Sequence, residues 1–123
     1  VIVAIGVDSV AIARIARLLA AGRFATRVFT TAERAYCAGK AHPAQSFAAR
    51  FCAKEAVMKC LGTGWGGGVA FADIEVLRRP AGDLALRLDG AAATRARELG
   101  IGRWHLSLTH TDAVATAFVV AER

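Results

Sequence analysis

The chain has 123 residues, 55% of them hydrophobic and 21% charged, which suits one domain spanning residues 1–123 and excludes a disordered composition. Sixteen Lys and Arg against ten Asp and Glu leave a net charge of +6, so an anionic partner is expected: nucleic acid, an acidic membrane, a phosphorylated cofactor or an acidic protein. No apolar run is long enough to cross a bilayer, and the three cysteines match neither a complete disulfide framework nor a zinc pattern.

The opening run VIVAIGV is rich in β-branched residues and predicts a buried strand over 1–7. It is short, has no basic flank and meets Asp8 at once, which makes it a poor signal peptide. Asp8 ends the strand in this reading, and Asp8 or Ser9 is a candidate cap for the next helix. In VAIARIARLLAAG, Ile12, Ile15, Leu18 and Leu19 form one stripe and Arg14 and Arg17 another face, with Gly22 as a stop. The basic character continues through Arg23 and Arg27. Thr30 to Glu33 fits a capping box, so a short helix should run from there to about Gly39.

A long central helix is expected from about Ser46 to Leu61, with Ala49, Cys52, Ala53, Ala56, Val57 and Cys60 as its apolar stripe and Gly62 as its end. Cys52 and Cys60 would lie about 12 Å apart along it and cannot bridge. Free buried thiols fit a reducing, cytoplasmic setting. Strands are expected at 69–77, 84–88, 104–110 and 114–122, with a helix from Asp89 to Gly100 and a tight turn at THTDA joining the last two strands. Helices cluster early and strands late, which reads as α+β with a largely antiparallel sheet.

Three features carry possible chemistry. The loop 62–67, GTGWGG, formally matches G-x-G-x-x-G, but a helix precedes it and a strand follows, the reverse of a dinucleotide fingerprint. It is either a flexible connection or a close backbone approach to phosphate. Asp8 is either a helix cap or a carboxylate at a strand end. Glu55 and Lys59, at i and i+4, are either a solvated pair or, with Asp8, part of a magnesium site whose lysine faces phosphate. His110 alternates with Trp104, Leu106 and Leu108, as a half-buried structural histidine would. The basic residues are not interleaved with aromatics, which argues against a nucleic-acid module.

IGVDSVAIARI at the start, FTTAE near residue 30, ARFCAKEAVMKCLGTG in the middle, and DIEV followed by HLSLTHTDAVATAFVV at the end together resemble the holo-acyl-carrier-protein synthases, small 4′-phosphopantetheinyl transferases. The resemblance spans nearly the whole chain, and G-V-D with F-x-x-K-E-x-x-x-K is specific in combination. It implies an antiparallel sheet packed on a long central helix and a homotrimer with active sites between subunits. It implies transfer of the phosphopantetheine arm of coenzyme A to a serine of an acidic acyl carrier protein, with adenosine 3′,5′-bisphosphate as the other product. On the matching positions it implies Asp8 and Glu55 as ligands of Mg2+ and Lys59 as the phosphate contact. Arg50, Thr109 and His110 would bind the 3′-phosphate, and Gly62, Thr63 and Gly64 would lie beside the coenzyme. Arg14 and Arg23 would dock the carrier, with neither nucleic acid nor membrane as partner. The chain departs from the pattern at Ala11, Ala49 and Cys52, and in RPAGDL, where relatives carry a Gly-Lys-Pro turn.

Overall fold

A computed structural model describes residues 1–64 and 67–123. The first strand, β1 (Ile2–Ala11), leads into α1 (Ile12–Ala20), α2 (Phe24–Val28), α3 (Thr31–Ala38) and the long α4 (Pro43–Leu61). A 3₁₀ turn at Phe71–Asp73 precedes the hairpin of β2 (Ile74–Arg78) and β3 (Leu84–Leu88). Helix α5 (Gly90–Glu98) and the hairpin of β4 (Arg103–His110) and β5 (Val114–Glu122) complete the chain. All pairing is antiparallel, in two sheets: β1-β5-β4 and β2-β3.

Packing of the three-stranded sheet on α4 organises the fold. The inward residues of β5, Ala115, Ala117, Val119 and Ala121, are all buried and small. The facing residues of α4 include Ala49, Ala53 and Ala56, so helix and sheet approach closely. At Gly6 the approach is extreme: a Cβ there would overlap the Ala56 carbonyl. One apolar cluster joins the N-terminal half of α4 to α1, α2, α3 and the sheet; a second joins its C-terminal half to α5 and β2.

Several expected boundaries move. β1 continues through Asp8 and Ser9 to Ala11, so neither residue caps α1, whose N-cap position is Ala11 with no side-chain cap. Hydrogen bonding to β5 holds those residues extended, and ladder pairing outweighs local capping preference. The strand is also buried on one face only: Ile5 and Val7 on the other face are 61% and 52% exposed. Pro43 starts α4 three residues early, as proline at the first helical position permits. Instead of a single stripe, thirteen of its nineteen residues are buried, because packed elements surround it. Residues 71–73 form the 3₁₀ turn rather than strand. α2 was not expected, since five residues are too few to show a period. The capping box at Thr30 and Glu33 forms as expected, and Gly62 ends α4 at φ +71°.

Candidate active site

β1 and α4 bring Asp8 and Lys59 together. Asp8 pairs with Ala117 and points, like Gly6 and Val10, toward α4. Lys59 on α4 answers from across the gap. Its ammonium donates to the Val7 carbonyl at 2.7 Å and to Asp8 Oδ1 at 3.3 Å. Cys52 lies beneath this group, fully buried, and its thiol donates to the Ala115 carbonyl at 3.4 Å. Burial pushes that thiol up to about 12; the charge of Asp8, a hydrogen bond with Asp8 and the charge of Glu55 add to it. Cys52, Glu55 and Lys59 follow one another at i, i+3 and i+7 on α4, so they share the helix face that Asp8 approaches through Lys59. Lys59 remains half exposed and able to reach a ligand.

The cluster suits a hard cation that keeps other oxygens. Among the described residues no three His, Cys, Asp or Glu side chains gather as a complete metal site. Two carboxylates are the usual protein share of a magnesium shell, the rest being water and substrate phosphate. The Cys52 thiol, protonated through neutral pH, is no competing soft ligand. The residues present therefore fit magnesium.

A second candidate set meets in a cleft of ≈ 190 Å³ on another side of α4. Arg50, Thr109 and His110 line it with Tyr36, Gln45, Ser46, Ala49, Arg78 and Leu108. Arg50 is only 4% exposed, its Nε has no partner among the described residues, and its guanidinium lies 4.4 Å over the Tyr36 ring. A buried donor without an acceptor is costly, so the cleft has a place for a hydrogen-bond acceptor beside a fixed positive charge. His110 is exposed at the edge and bonds the Thr111 carbonyl through Nδ1 at 3.2 Å, instead of sitting half buried. His110 is the last residue of β4, an edge strand of its sheet.

The basic face of the N-terminal helices forms a third feature. Arg14, Arg23 and Arg27 rim an apolar groove of ≈ 430 Å³ lined by Leu18, Phe24, Val28, Phe51 and Phe71. Phe51 and Phe71 stack with centroids 5.5 Å apart. The glycine turn follows α4: Gly62 and Gly64 both take positive φ, and Thr63 Oγ1 is buried without a partner among the described residues. Trp65 and Gly66 of the GTGWGG loop lie outside the described residues.

Sequence reading missed Tyr36, Gln45, Ser46 and Arg78 in the cleft and the aromatic floor of the groove. No motif marks the cleft residues, which only the approach of α3, α4 and β2 assembles; of the groove floor, Phe51 stands in the F-x-x-K-E-x-x-x-K motif and only packing against Phe71 reveals its place. Lys54, for which the sequence offers no separate role, is fully buried in an ion pair with Glu33 at 2.7 Å and donates to the carbonyls of Phe71 and Ile74.

Comparison with known proteins bears on this arrangement. The sequence model of the 4′-phosphopantetheinyl transferase superfamily matches residues 4–118. A holo-[acyl-carrier-protein] synthase of Anaeromyxobacter dehalogenans is 48% identical over 98% of this chain and 96% of its own length. A crystal structure of holo-[acyl-carrier-protein] synthase from Neisseria meningitidis superposes with TM-score 0.90 at 35% identity, over the full length of both chains. A holo-(acyl-carrier-protein) synthase from Bacillus anthracis in complex with CoA (3′,5′-ADP) superposes with TM-score 0.81 at 34% identity, covering 98% and 96% of the two chains.

Proposed function

The chain belongs to the 4′-phosphopantetheinyl transferase superfamily and is an enzyme of the holo-[acyl-carrier-protein] synthase type; from that premise we propose that it moves the phosphopantetheine arm of coenzyme A onto a serine of an acidic apo acyl carrier protein, releasing adenosine 3′,5′-bisphosphate. One observation supports the assignment of the reacting centre: Lys59 on α4 reaches Asp8 on β1, and Glu55 lies one helical turn before Lys59 on the same face of α4.

In this reading the serine oxygen forms a bond to the β-phosphorus while the bond from that phosphorus to the bridging pyrophosphate oxygen breaks. Both reactants are anionic, so catalysis is mainly positioning and charge compensation. Asp8 and Glu55 would hold Mg2+, which when bound supplies Lewis-acid neutralisation of the pyrophosphate. Lys59 swings its ammonium from Asp8 to the phosphoryl oxygens and to the leaving phosphate. The Asp8 and Glu55 carboxylates supply the acceptor toward which the serine proton moves, directly or through water.

Arg50, Thr109 and His110 hold the 3′-phosphate in their cleft, with Gly62, Thr63 and Gly64 along the coenzyme. The groove rimmed by Arg14 and Arg23 takes the carrier: the arginines steer an acidic helix and the aromatic floor receives its apolar face. Arg50 and Glu55 are about 140° apart around α4, so cleft and carboxylates of one chain flank different sides of the helix. A homotrimer resolves this by joining the carboxylates of one subunit to the cleft of its neighbour. The exposed outer face of the three-stranded sheet, with Ile5, Val7 and Phe118, supplies the apolar surface such an assembly needs.

Purified protein with magnesium, coenzyme A and an apo carrier should add the phosphopantetheine mass to the carrier serine. Asp8→Ala and Glu55→Ala should abolish this while circular dichroism stays unchanged, and near-normal rates in both would overturn the metal assignment. Arg14→Glu with Arg23→Glu should raise KM for the carrier at least ~10-fold, in a salt-dependent way, and leave KM for coenzyme A unaltered. Salt-sensitive binding to nucleic acid, with no transfer, would favour a nucleic-acid module instead.

A further inference from the structure

The cleft beside Arg50 holds more positive charge than the sequence motifs account for. Tyr36 on α3 stands among three cations. Arg50 lies over its ring at 4.4 Å, the Lys40 ammonium lies 4.3 Å from the ring centre, and Arg78 Nε donates to its phenol oxygen at 2.9 Å. Hydrogen bonding to Lys40, then to Arg78, holds the phenol below its ordinary range despite some opposing burial. Arg78 also donates to the Gly82 carbonyl in the β2–β3 turn. These contacts use two of its five N–H groups and fix the plane of the fork.

Arg50 and Arg78 both line the cleft. Neither pairs with a carboxylate among the described residues, although Arg79, Arg87, Arg95 and Arg103 nearby or elsewhere each find one. Two guanidiniums facing one small space without an anion repel each other, and the buried Nε of Arg50 still lacks an acceptor. A phosphomonoester near pH 7 carries close to two negative charges and three acceptor oxygens. It answers both the charge and the missing acceptor; a hydroxyl in the same place can accept one hydrogen bond but leaves the charge of both guanidiniums unmet.

We propose that Arg78, oriented by Tyr36, is the second cation of this cleft and sets the preference of the enzyme for coenzyme A over its 3′-dephospho form. This rests on the reading of the cleft as the 3′-phosphate site. Arg78 stands at the end of β2, just before the RPAGDL turn, and Tyr36 on α3 comes 42 positions earlier. The hairpin and α3 pack so as to place the Arg78 fork at the cleft, and Tyr36 acts on it as a positioning residue.

The test compares kcat/KM for coenzyme A and for 3′-dephospho-coenzyme A in the wild type, Arg78→Met and Tyr36→Phe. Losing one charge-assisted contact predicts roughly a tenfold loss with coenzyme A for Arg78→Met and under about twofold with the dephospho form. Tyr36→Phe keeps the ring under Arg50 and removes only the oxygen, so it should lose less, in the same direction, with KM for the carrier unmoved in both. Arg78 is exposed, so the fold should survive, and a circular dichroism melt checks it. Equal losses on both substrates, or no loss, overturn the proposal. Calorimetry with adenosine 3′,5′-bisphosphate and AMP separates it from the function on which it rests. Arg78-dependent preference for the bisphosphate in a protein that transfers nothing would sink the transferase and keep the cleft assignment. Normal transfer with an indifferent Arg78→Met would overturn the proposal and leave the transferase standing.

Discussion

Replacing Lys54 with Met removes a charge from the most enclosed ion pair in the structure. Lys54 and Glu33 are 0% and 2% exposed, and their charged atoms are 2.7 Å apart. Glu33 also accepts from the Thr30 and Val76 amides at 3.0 and 2.8 Å, and Lys54 donates to the carbonyls of Phe71 and Ile74. Burial pulls the Lys54 pKa down and the Glu33 charge opposes this. Without the ammonium, Glu33 becomes an uncompensated buried carboxylate, which costs about 3–5 kcal/mol. The two carbonyls lose a donor as well, adding a cost that overlaps the first. Taking ~4 kcal/mol and an unfolding entropy of about 2.1 cal/mol/K per residue over 123 residues gives a fall in Tm of about 15 °C. Thermal unfolding at fixed protomer concentration measures it. Adding Glu33→Gln to Lys54→Met neutralises the stranded carboxylate and keeps one of its two amide hydrogen bonds, so the double variant should recover part of the loss. A single-variant loss below about 1 kcal/mol, or strict additivity in the double-mutant cycle, would refute the reasoning.

Gly6→Ala places a methyl group against the Ala56 carbonyl. Because the obstacle is backbone, the cost should reach ~3 kcal/mol, the upper end for overpacking, and transfer should fall more than coenzyme binding does as Asp8 shifts from α4; an unperturbed melt would show that the strand yields freely. All three thiols are buried, with Cys60 pushed up to about 11 by burial. Near pH 8 roughly one Cys60 in a thousand is thiolate, so a disulfide reagent should label none of the three in the native protein and all three in denaturant. The sign follows from proton binding: the folded state keeps protons that unfolded thiols release above about pH 9, so stability falls as pH rises from there toward 11.

Much of the local structure was legible from the residues. The Thr30 and Glu33 capping box, the Gly62 stop and the final hairpin are decided by short-range chemistry, and each stands where expected. The motifs also contained the residues that meet: Asp8 with Lys59, and Arg50 with Thr109 and His110. Their partners were not legible. Glu33 reads as a capping residue and also neutralises a buried lysine on another helix. Tyr36 and Arg78 carry no motif, and they meet because β2 lies beside α3.

By itself the sequence determined most of the element types, the glycine stops, the basic first helix and the residues able to carry phosphate chemistry, because these depend on neighbours within a few positions. The tertiary structure decided the rest. It extended β1 through Asp8 because pairing with β5 outweighs a cap. It buried α4 on nearly every side because sheet and helices close around it. It also turned Lys59 toward Asp8, since a long side chain bonds the acceptors that packing brings within reach.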